Sequence, residues 1–171
     1  MLPPQKTMRN NPIIIGIDPG YDRVGVAIGQ KTDQTWRLFT YHCIQTEQKA
    51  QLFERYAQIA RELDKLVRDY QVTQASIESL FWFKNQSTAL NVSEARGVII
   101  ATLLRTQVKI AEYTPLQVKQ SLTGYGRADK KAVEKMVRME LHLEDKMIDD
   151  TIDALAIMIC HECSRKLKEN L

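Results

Sequence analysis

The chain has 171 residues, of which 44% are hydrophobic, so it can form one globular domain with a sizeable core. No apolar run approaches the ~20 residues of a membrane-spanning helix, so we expect no membrane partner. Three cysteines, Cys43, Cys160 and Cys163, are too few and too scattered for a disulfide framework, which predicts reduced thiols and a cytoplasmic location. The formal net charge of +3 permits a polyanionic partner without requiring one.

Three strands are predicted in the first part of the chain. Residues 1–12 are polar, hold three of the five prolines and show no periodicity, which indicates a flexible N-terminal tail. Residues 13–17 form an almost wholly apolar, β-branched run that predicts a strand buried on both faces. Residues 24–28 predict its hairpin partner, and residues 35–44 predict the third strand of an antiparallel meander.

Strands and helices alternate in the rest of the chain. An apolar stripe at helical spacing predicts a long helix from residue 46, opened by Thr46, to about residue 70. The pattern then predicts a strand at 72–77, a helix at 87–105, a strand at 108–113, helices after Thr114 and Asp129, and a last helix from residue 149. Three strands followed by this alternation predict a single α/β domain over 13–165, with a polar C-terminal tail at 166–171. A mixed five-stranded sheet flanked by helices, of the ribonuclease H-like architecture, suits the pattern.

Two of the predicted strands end in a carboxylate. Asp18 follows the apolar run 13–17 and precedes a Pro-Gly turn, and Glu78 follows the strand predicted at 72–77 in the same way. A carboxylate at the end of a strand that is buried on both faces is unfavourable unless something pairs with it. For Asp18 alone, the alternative is a turn aspartate that caps backbone amides.

Two more carboxylates lie at the start of the last predicted helix. Asp150 and Asp153 are three residues apart and project from one face of that helix, near an N-terminus that favours negative charge. Helix capping is the alternative for Asp149 or Asp150 taken alone. Asp153 lies inside the apolar sequence IDALAIMI, on the side expected to meet the sheet, where burial of a carboxylate is unfavourable unless a cation compensates.

Together the four carboxylates predict a divalent metal site. Acids that crowd together raise one another's pKa values unless cations lie between them. Mg²⁺ prefers oxygen ligands, needs few carboxylates and contacts phosphate, so we expect Mg²⁺ as the cofactor, with Mn²⁺ able to substitute. Two such ions about 3.5–4 Å apart would activate a water and stabilise the leaving oxygen in phosphodiester hydrolysis.

Basic side chains indicate a polyanionic partner near these acids. Lys119 and Lys130 flank a glycine-rich turn that could approach a phosphate backbone closely, and Arg127 and Lys131 lie in the same stretch. Lysines that neutralise phosphates supply the salt-dependent part of nucleic-acid affinity. The alternative is a solvated helix face.

The predicted loop at 79–85 adds aromatic side chains to the same region. It carries Phe81, Trp82 and Phe83 together with Lys84, directly after the carboxylate at position 78. An exposed ring at Phe81 could stack on an unpaired base. Trp82, in the alternative, turns inward as part of the core.

Four segments of the chain carry a family resemblance that spans roughly residues 13–161. They read GIDPGYDRVGVAI, IESLFWFKNQSTALNVSEARGV, TPLQVKQSLTGYGRADKKAVEKMV and DDTIDALAIMICH. In this combination the chain resembles the RuvC family of Holliday junction resolvases. The resemblance implies a ribonuclease H-like homodimer in the bacterial cytoplasm. It also implies paired, symmetrical, Mg²⁺-dependent nicking of four-way DNA junctions in recombination and repair, together with a branch-migration complex.

The resemblance also implies roles for particular residues. The catalytic and metal-binding acids are Asp18, Glu78, Asp150 and Asp153. Lys119 is carried over as a further catalytic residue, and Lys119 and Lys130 match positions that meet the backbone of the scissile strand. Phe81 matches an aromatic that acts on bases near the crossover. The full set of expected DNA contacts is Phe81, Lys84, Lys119, Arg127, Lys130 and Lys131. The helix at 87–105 matches the dimer face, where Gly97 would permit close approach; the alternative is burial of this helix against its own sheet.

Other functions of the same fold class stay open at this point. A ribonuclease H-like nuclease that acts on RNA–DNA hybrids would share the four acids without needing two symmetric sites. A phosphate-cradling nucleotide-binding protein would need a second phosphate hairpin, which the sequence does not contain. A junction-binding module without cleavage would be favoured only if one of the acids were missing. The pair Cys160 and Cys163 lacks the second pair of a zinc site, so we interpret the cysteines as packing thiols.

Overall fold

The computed structural model describes residues 11–79, 86–144 and 149–169. Its strands are β1 (Ile14–Asp18), β2 (Arg23–Thr32), β3 (Thr35–Gln45), β4 (Gln74–Glu78) and β5 (Lys109–Tyr113). Its helices are α1 (Leu52–Asp69), α2 (Gln86–Arg105), α3 (Pro115–Thr123), α4 (Lys130–Leu141) and α5 (Asp149–Glu169). Most of the predicted tail at 1–12 lies outside the described residues, whereas α5 continues through residues 166–169 of the predicted C-terminal tail.

The strands form one mixed sheet in the order β3-β2-β1-β4-β5, which confirms the predicted fold class. Strands β1, β2 and β3 are the antiparallel meander, and β4 and β5 extend the sheet parallel to β1. Strand β2 is longer than predicted because its pairing with β3 continues to a two-residue turn, in which Asp33 adopts a φ of 56°. Since β1 and β4 are parallel neighbours, their carboxyl ends lie at the same edge of the sheet.

Helices cover both faces of the sheet and form two hydrophobic cores. Side chains of Ile15 and Ile17 pack with α1 and α2, whereas Ile14 packs with α5 and the two helices before it. Strand β1 is therefore buried on both faces, as its apolar sequence predicts. Within the described residues, no helix combines the length and apolarity needed to cross a membrane.

Helix α1 begins six residues later than predicted, at Leu52. The prediction that Thr46 opens this helix is wrong, because its hydroxyl donates instead to the carbonyl oxygen of Tyr21 at 2.8 Å. The helix start is stabilised by Glu54, whose carboxylate accepts a hydrogen bond from the backbone amide of Gln51 at 3.1 Å. Thr46 thus follows the end of β3 and binds the turn after β1, rather than opening the helix.

Two glycines let α5 approach the sheet closely. A Cβ at Gly16 of β1 would overlap the carbonyl oxygen of Ala154 and the backbone of Met158. A Cβ at Gly25 of β2 would overlap the carbonyl oxygen of Asp150. The backbone of the first turns of α5 therefore lies directly on the two central strands, and this contact fixes where the helix begins relative to the end of β1.

The substitution Gly16→Ala should destabilise the fold by about 1–3 kcal/mol, since overpacking at a rigid backbone contact forces the helix away from the sheet. The matched control is Gly97→Ala in α2, where a Cβ would meet nothing within 4 Å. Alanine is the better helix former there by about 1 kcal/mol, so the control should be stabilised at protein concentrations at which the chain is monomeric. Urea unfolding of both variants measures the difference, and a neutral Gly16→Ala would contradict the close contact.

Candidate active site

Asp18 and Glu78 lie side by side at the carboxyl edge of the sheet. They are the last residues of β1 and β4, whose parallel pairing aligns Ile17 with Ile77. Both carboxylates are partly buried at this edge. The apolar strands that carry them therefore place two acids where burial and mutual repulsion disfavour ionisation.

The pKa values of these two acids reflect that environment. Burial is the largest influence on Asp18, and the negative charges of Glu78 and of the acids on α5 add to it, raising the pKa of Asp18 to about 8. Burial, and then the charge of Asp153, raise the pKa of Glu78 to about 7. The positive charge of Lys130 opposes the shift at Asp18, and that of Lys119 opposes the shift at Glu78.

Helix α5 brings two further acids to the same place. Asp150 and Asp153 lie in its first turns, and both raise the pKa of Asp18 through their charge. Burial also raises the pKa of Asp153 above its ordinary value, while Lys130 opposes that shift. The four acids predicted from the sequence thus form one electrostatically coupled group, brought together by two strands and a helix.

Basic side chains hold two of these carboxylates. The Nε atom of Arg23 lies 2.6 Å from Oδ2 of Asp150, and the Nζ atom of Lys130 lies 3.4 Å from Oδ2 of Asp153. Lys130 also lies 3.2 Å from Asp149. Within the described residues, no three acidic, histidine or cysteine side chains are close enough together to hold a metal ion as they are positioned.

Lys119 and Lys130 both line a cavity of about 230 Å³ that also includes two of the acids. Its acidic wall is formed by Glu78 and Asp153. Apolar side chains complete the lining, namely Pro115, Val118, Val133, Ala156 and Ile157. The cavity therefore combines two cations with two carboxylates at an opening large enough for a phosphate group.

Local capping fixes the segment that carries these lysines. The hydroxyl of Thr114 accepts a hydrogen bond from the amide of Gln117 at the start of α3, and the carboxylate of Asp129 accepts one from the amide of Ala132 at the start of α4. Gly124 ends α3 in the left-handed region, with a φ of 75°. The prediction of helices after Thr114 and Asp129 is confirmed at both caps.

The remaining predicted DNA contacts are less closely tied to the acids. Arg127 and Lys131 are exposed on the same segment, outside the residues that line the cavity. Phe81 and Lys84 lie outside the described residues, as does Trp82. The roles predicted for these residues stay predictions.

Arg23 and Cys43 are site residues that the sequence analysis missed. Arg23 pairs with Asp150, and the thiol of Cys43 lies 3.8 Å from the same carboxylate. Burial raises the pKa of the Cys43 thiol, which keeps it neutral. Arg23 lies five residues after Asp18 in the same hairpin, and this spacing was the available signal; the contacts to Asp150 span more than a hundred residues and leave no local pattern.

Comparisons with known proteins agree on one family. The sequence profile described as "Crossover junction endodeoxyribonuclease RuvC" matches residues 14–161. The chain is 40% identical over 159 residues to the crossover junction endodeoxyribonuclease RuvC of Petrotoga mobilis, covering 92% of this chain and 98% of that protein. It is 42% identical over 156 residues to the protein of the same name from Halothermothrix orenii, covering 91% and 94%.

Solved structures extend the similarity to the fold. The structure of T. thermophilus RuvC in complex with Holliday junction substrate matches with a TM-score of 0.86 and 27% identity, covering 92% of this chain and 96% of that chain. A Fowlpox virus resolvase bound to Holliday junction DNA matches with a TM-score of 0.59 and 16% identity, covering 88% and 99%. The second match shows a shared fold only.

The raised pKa values predict how stability depends on pH when divalent metal is absent. Folded Asp18 keeps its proton up to about pH 8, whereas its unfolded value is 3.8, so the folded state binds more protons in between. In EDTA, the free energy of unfolding should therefore fall as the pH rises from about 4 to about 8. Denaturant unfolding at several pH values measures this slope. The slope should flatten in Asp18→Asn, and an equal slope in both proteins would contradict the shift.

Proposed function

This chain belongs to the RuvC family of crossover junction endodeoxyribonucleases, and from that membership we propose that it resolves four-way DNA junctions by paired, symmetrical nicks. The observation that carries the proposal is the coupled group of four acids beside a cavity lined by two lysines. Acidic oxygen donors next to fixed cations suit hydrolysis of a phosphodiester, since the donors take up metal and the cations attract the phosphate.

We propose Mg²⁺ as the cofactor, two ions to a site, with Mn²⁺ able to substitute. The donor set fits hard divalent cations, because four carboxylates supply oxygen ligands whose repulsion a cation would relieve. Asp18, Glu78, Asp150 and Asp153 would hold the ions. When bound, ions of this kind supply Lewis acidity toward the scissile phosphate and lower the pKa of water.

The side chains of the chain have their own tasks in this proposal. Lys119 and Lys130 hold the phosphate at the mouth of the cavity and neutralise its charge. Lys130 is already 3.4 Å from Asp153, so it can bridge acid and phosphate. Arg127 and Lys131 would contact the backbone further along the strand. For Phe81 and Lys84 the support is the family resemblance alone.

We propose that two copies of the chain act together, since paired nicks need two active sites related by symmetry. Helix α2 supports this, because Leu90 and Leu104 are 64% and 62% exposed. They lie seven residues on either side of Gly97, so all three share one helix face. At Gly97 itself a Cβ would meet nothing within 4 Å. A branch-migration complex as partner and the bacterial cytoplasm as location belong to the same proposal.

Replacing Asp18 by asparagine should abolish cleavage of a four-way junction while leaving junction binding intact. Loss of a metal ligand at the centre of the acidic group should lower the rate by at least about 100-fold, since even outer partners of metal ligands are worth 10–100-fold. Gel-based cleavage and binding assays on the same junction measure the two effects. Asp33→Asn, at the tip of the β2–β3 hairpin, is the matched control and should cut normally. Full activity of Asp18→Asn would remove this residue from the site.

Lys119→Ala should slow cleavage and weaken the dependence of junction binding on salt. Loss of one phosphate contact should reduce the slope of log K against log salt by about 1. Fluorescence anisotropy at a series of salt concentrations measures the slope. Lys65→Ala, an exposed lysine on α1 beyond the opposite face of the sheet, should leave the slope unchanged. Equal slopes in both variants would make Lys119 an ordinary surface residue.

Leu104→Glu should dissociate the dimer, because it places a charge in the exposed apolar stripe of α2. Analytical ultracentrifugation at several protein concentrations measures the association. The control is Leu167→Glu, an equally exposed leucine near the end of α5. A dimer that survives Leu104→Glu would place the interface elsewhere.

A further inference from the structure

A buried arginine of α1 lies beneath the turn that follows Asp18. Arg55 is only 7% exposed, although arginine is seldom buried unless its guanidinium is paired. All the polar partners described for its guanidinium lie outside its own helix, in the turn after β1 and at the end of β3. No local pattern marks this residue, because it lies on a helix whose sequence is explained by its apolar stripe.

The guanidinium of Arg55 makes four separate contacts. Its Nε donates to the hydroxyl of Thr46 at 2.9 Å, and its Nη2 donates to the carbonyl oxygen of Tyr21 at 3.2 Å. It forms an ion pair with the carboxylate of Asp22 and lies 4.9 Å from the centre of the Tyr21 ring. A planar group with a fixed fork of donors is suited to hold several partners at once.

Thr46 binds the same two turn residues as Arg55, Tyr21 and Asp22. Its hydroxyl donates to the carbonyl oxygen of Tyr21 at 2.8 Å, and its amide donates to the carbonyl oxygen of Asp22 at 3.0 Å. The carbonyl oxygen of Tyr21 therefore has two donors, the hydroxyl of Thr46 and Nη2 of Arg55. That of Asp22 also has two, the amide and the hydroxyl of Thr46. The turn is also closed on itself, since a Cβ at Gly20 would overlap the carbonyl oxygen of Arg23.

This turn joins two groups of the candidate active site. It begins directly after Asp18 and ends at Arg23, the residue whose Nε lies 2.6 Å from Asp150. A shift of the turn would therefore displace the carboxylate of Asp18 through the backbone and that of Asp150 through Arg23. Displacements of this kind matter because about 1 Å of misplacement can cost on the order of 100-fold in rate.

We propose that Arg55 is a positioning residue for the metal site, which sets the geometry of Asp18 and Asp150 through the turn that joins them. The inference rests on the proposed function, because it assumes that these two acids take up metal. Arg55 touches neither the substrate nor the ions. Its role is that of the outer partners that orient ligands at metal sites.

The test compares Arg55→Met with wild type in metal binding, measured without DNA. Methionine fills a similar length without the guanidinium donors. Binding of Mn²⁺, followed by the electron paramagnetic resonance signal of the free ion, should weaken by about 10–100-fold. The rate of cleavage at saturating junction should fall by a similar factor, and it should recover in part at high metal concentration. The KM for the junction should not change. Arg55→Lys keeps the charge without the fork, so its values should lie between the two.

Val67→Ala is the matched control for stability. Val67 is buried on the same helix but packs in the core away from the turn, so its truncation should lower the melting temperature without changing Mn²⁺ binding. If Arg55→Met behaves in the same way, with lower stability and unchanged Mn²⁺ binding, Arg55 is merely structural and the proposal is overturned.

If Arg55→Met does not fold, as judged by circular dichroism, Asp22→Asn replaces it in the Mn²⁺-binding test. It removes the ion pair but leaves Arg55 its bonds to Thr46 and Tyr21, so it should weaken Mn²⁺ binding to a smaller extent. Unchanged binding in a folded Asp22→Asn, with Arg55→Met unfolded, overturns the proposal. Failure of the wild-type protein to cut junctions while it binds Mn²⁺ would count against the proposed function only, since the metal titration decides the role of Arg55 independently.

Discussion

Burial of carboxylates at one edge of the sheet, with their mutual repulsion added to it, is the constraint around which the rest of this fold is arranged. Asp18 and Glu78 end two parallel neighbours of the sheet, and the pKa of the first is raised to about 8 and that of the second to about 7. Such shifts mean that ionisation of these two carboxyl groups is unfavourable in the folded chain at neutral pH. Ionisation of these acids lowers the stability of the fold, and carboxylates with raised pKa values cluster at functional sites.

The backbone contacts of α5 turn that constraint into a site. Gly16 and Gly25 allow the start of the helix to lie directly on β1 and β2, which brings Asp150 and Asp153 to the same sheet edge. Cations supplied from α4 and from β2 then balance part of the negative charge. The sheet, helix α5 and the lysine segment thus each contribute one part of the site that we propose to bind metal and phosphate.

Much of this was predictable from sequence because its signals are local. At each of three places an acidic residue stands within a few positions of an apolar run that predicts burial. Asp18 and Glu78 follow apolar strands, and Asp153 lies inside an apolar helix. The order of the elements likewise predicted the sheet, since a hairpin followed by alternating strands and helices is compatible with few sheet topologies.

The contacts that orient the acids were not predictable, because they join distant positions. Arg55 meets Asp22 across 33 residues, and Arg23 meets Asp150 across the whole domain. The prediction for Thr46 was wrong for a related reason. A threonine before a helical pattern predicts a helix cap, but the hydroxyl of Thr46 donates instead to the carbonyl oxygen of Tyr21, in the turn after β1. The roles of such residues depend on partners that are distant in sequence, and the local sequence does not identify those partners.

Cleavage of an end-labelled four-way DNA junction, with Mg²⁺ and with EDTA, beside linear duplex and RNA–DNA hybrid of matching sequence, tests the account most directly. Paired nicks at symmetrical positions, on the junction alone and only with Mg²⁺, are the predicted result. Preferential cutting of the hybrid would leave the fold and the acids in place but would contradict junction resolution as the function. Cutting that persists in EDTA would contradict the role given to the four carboxylates.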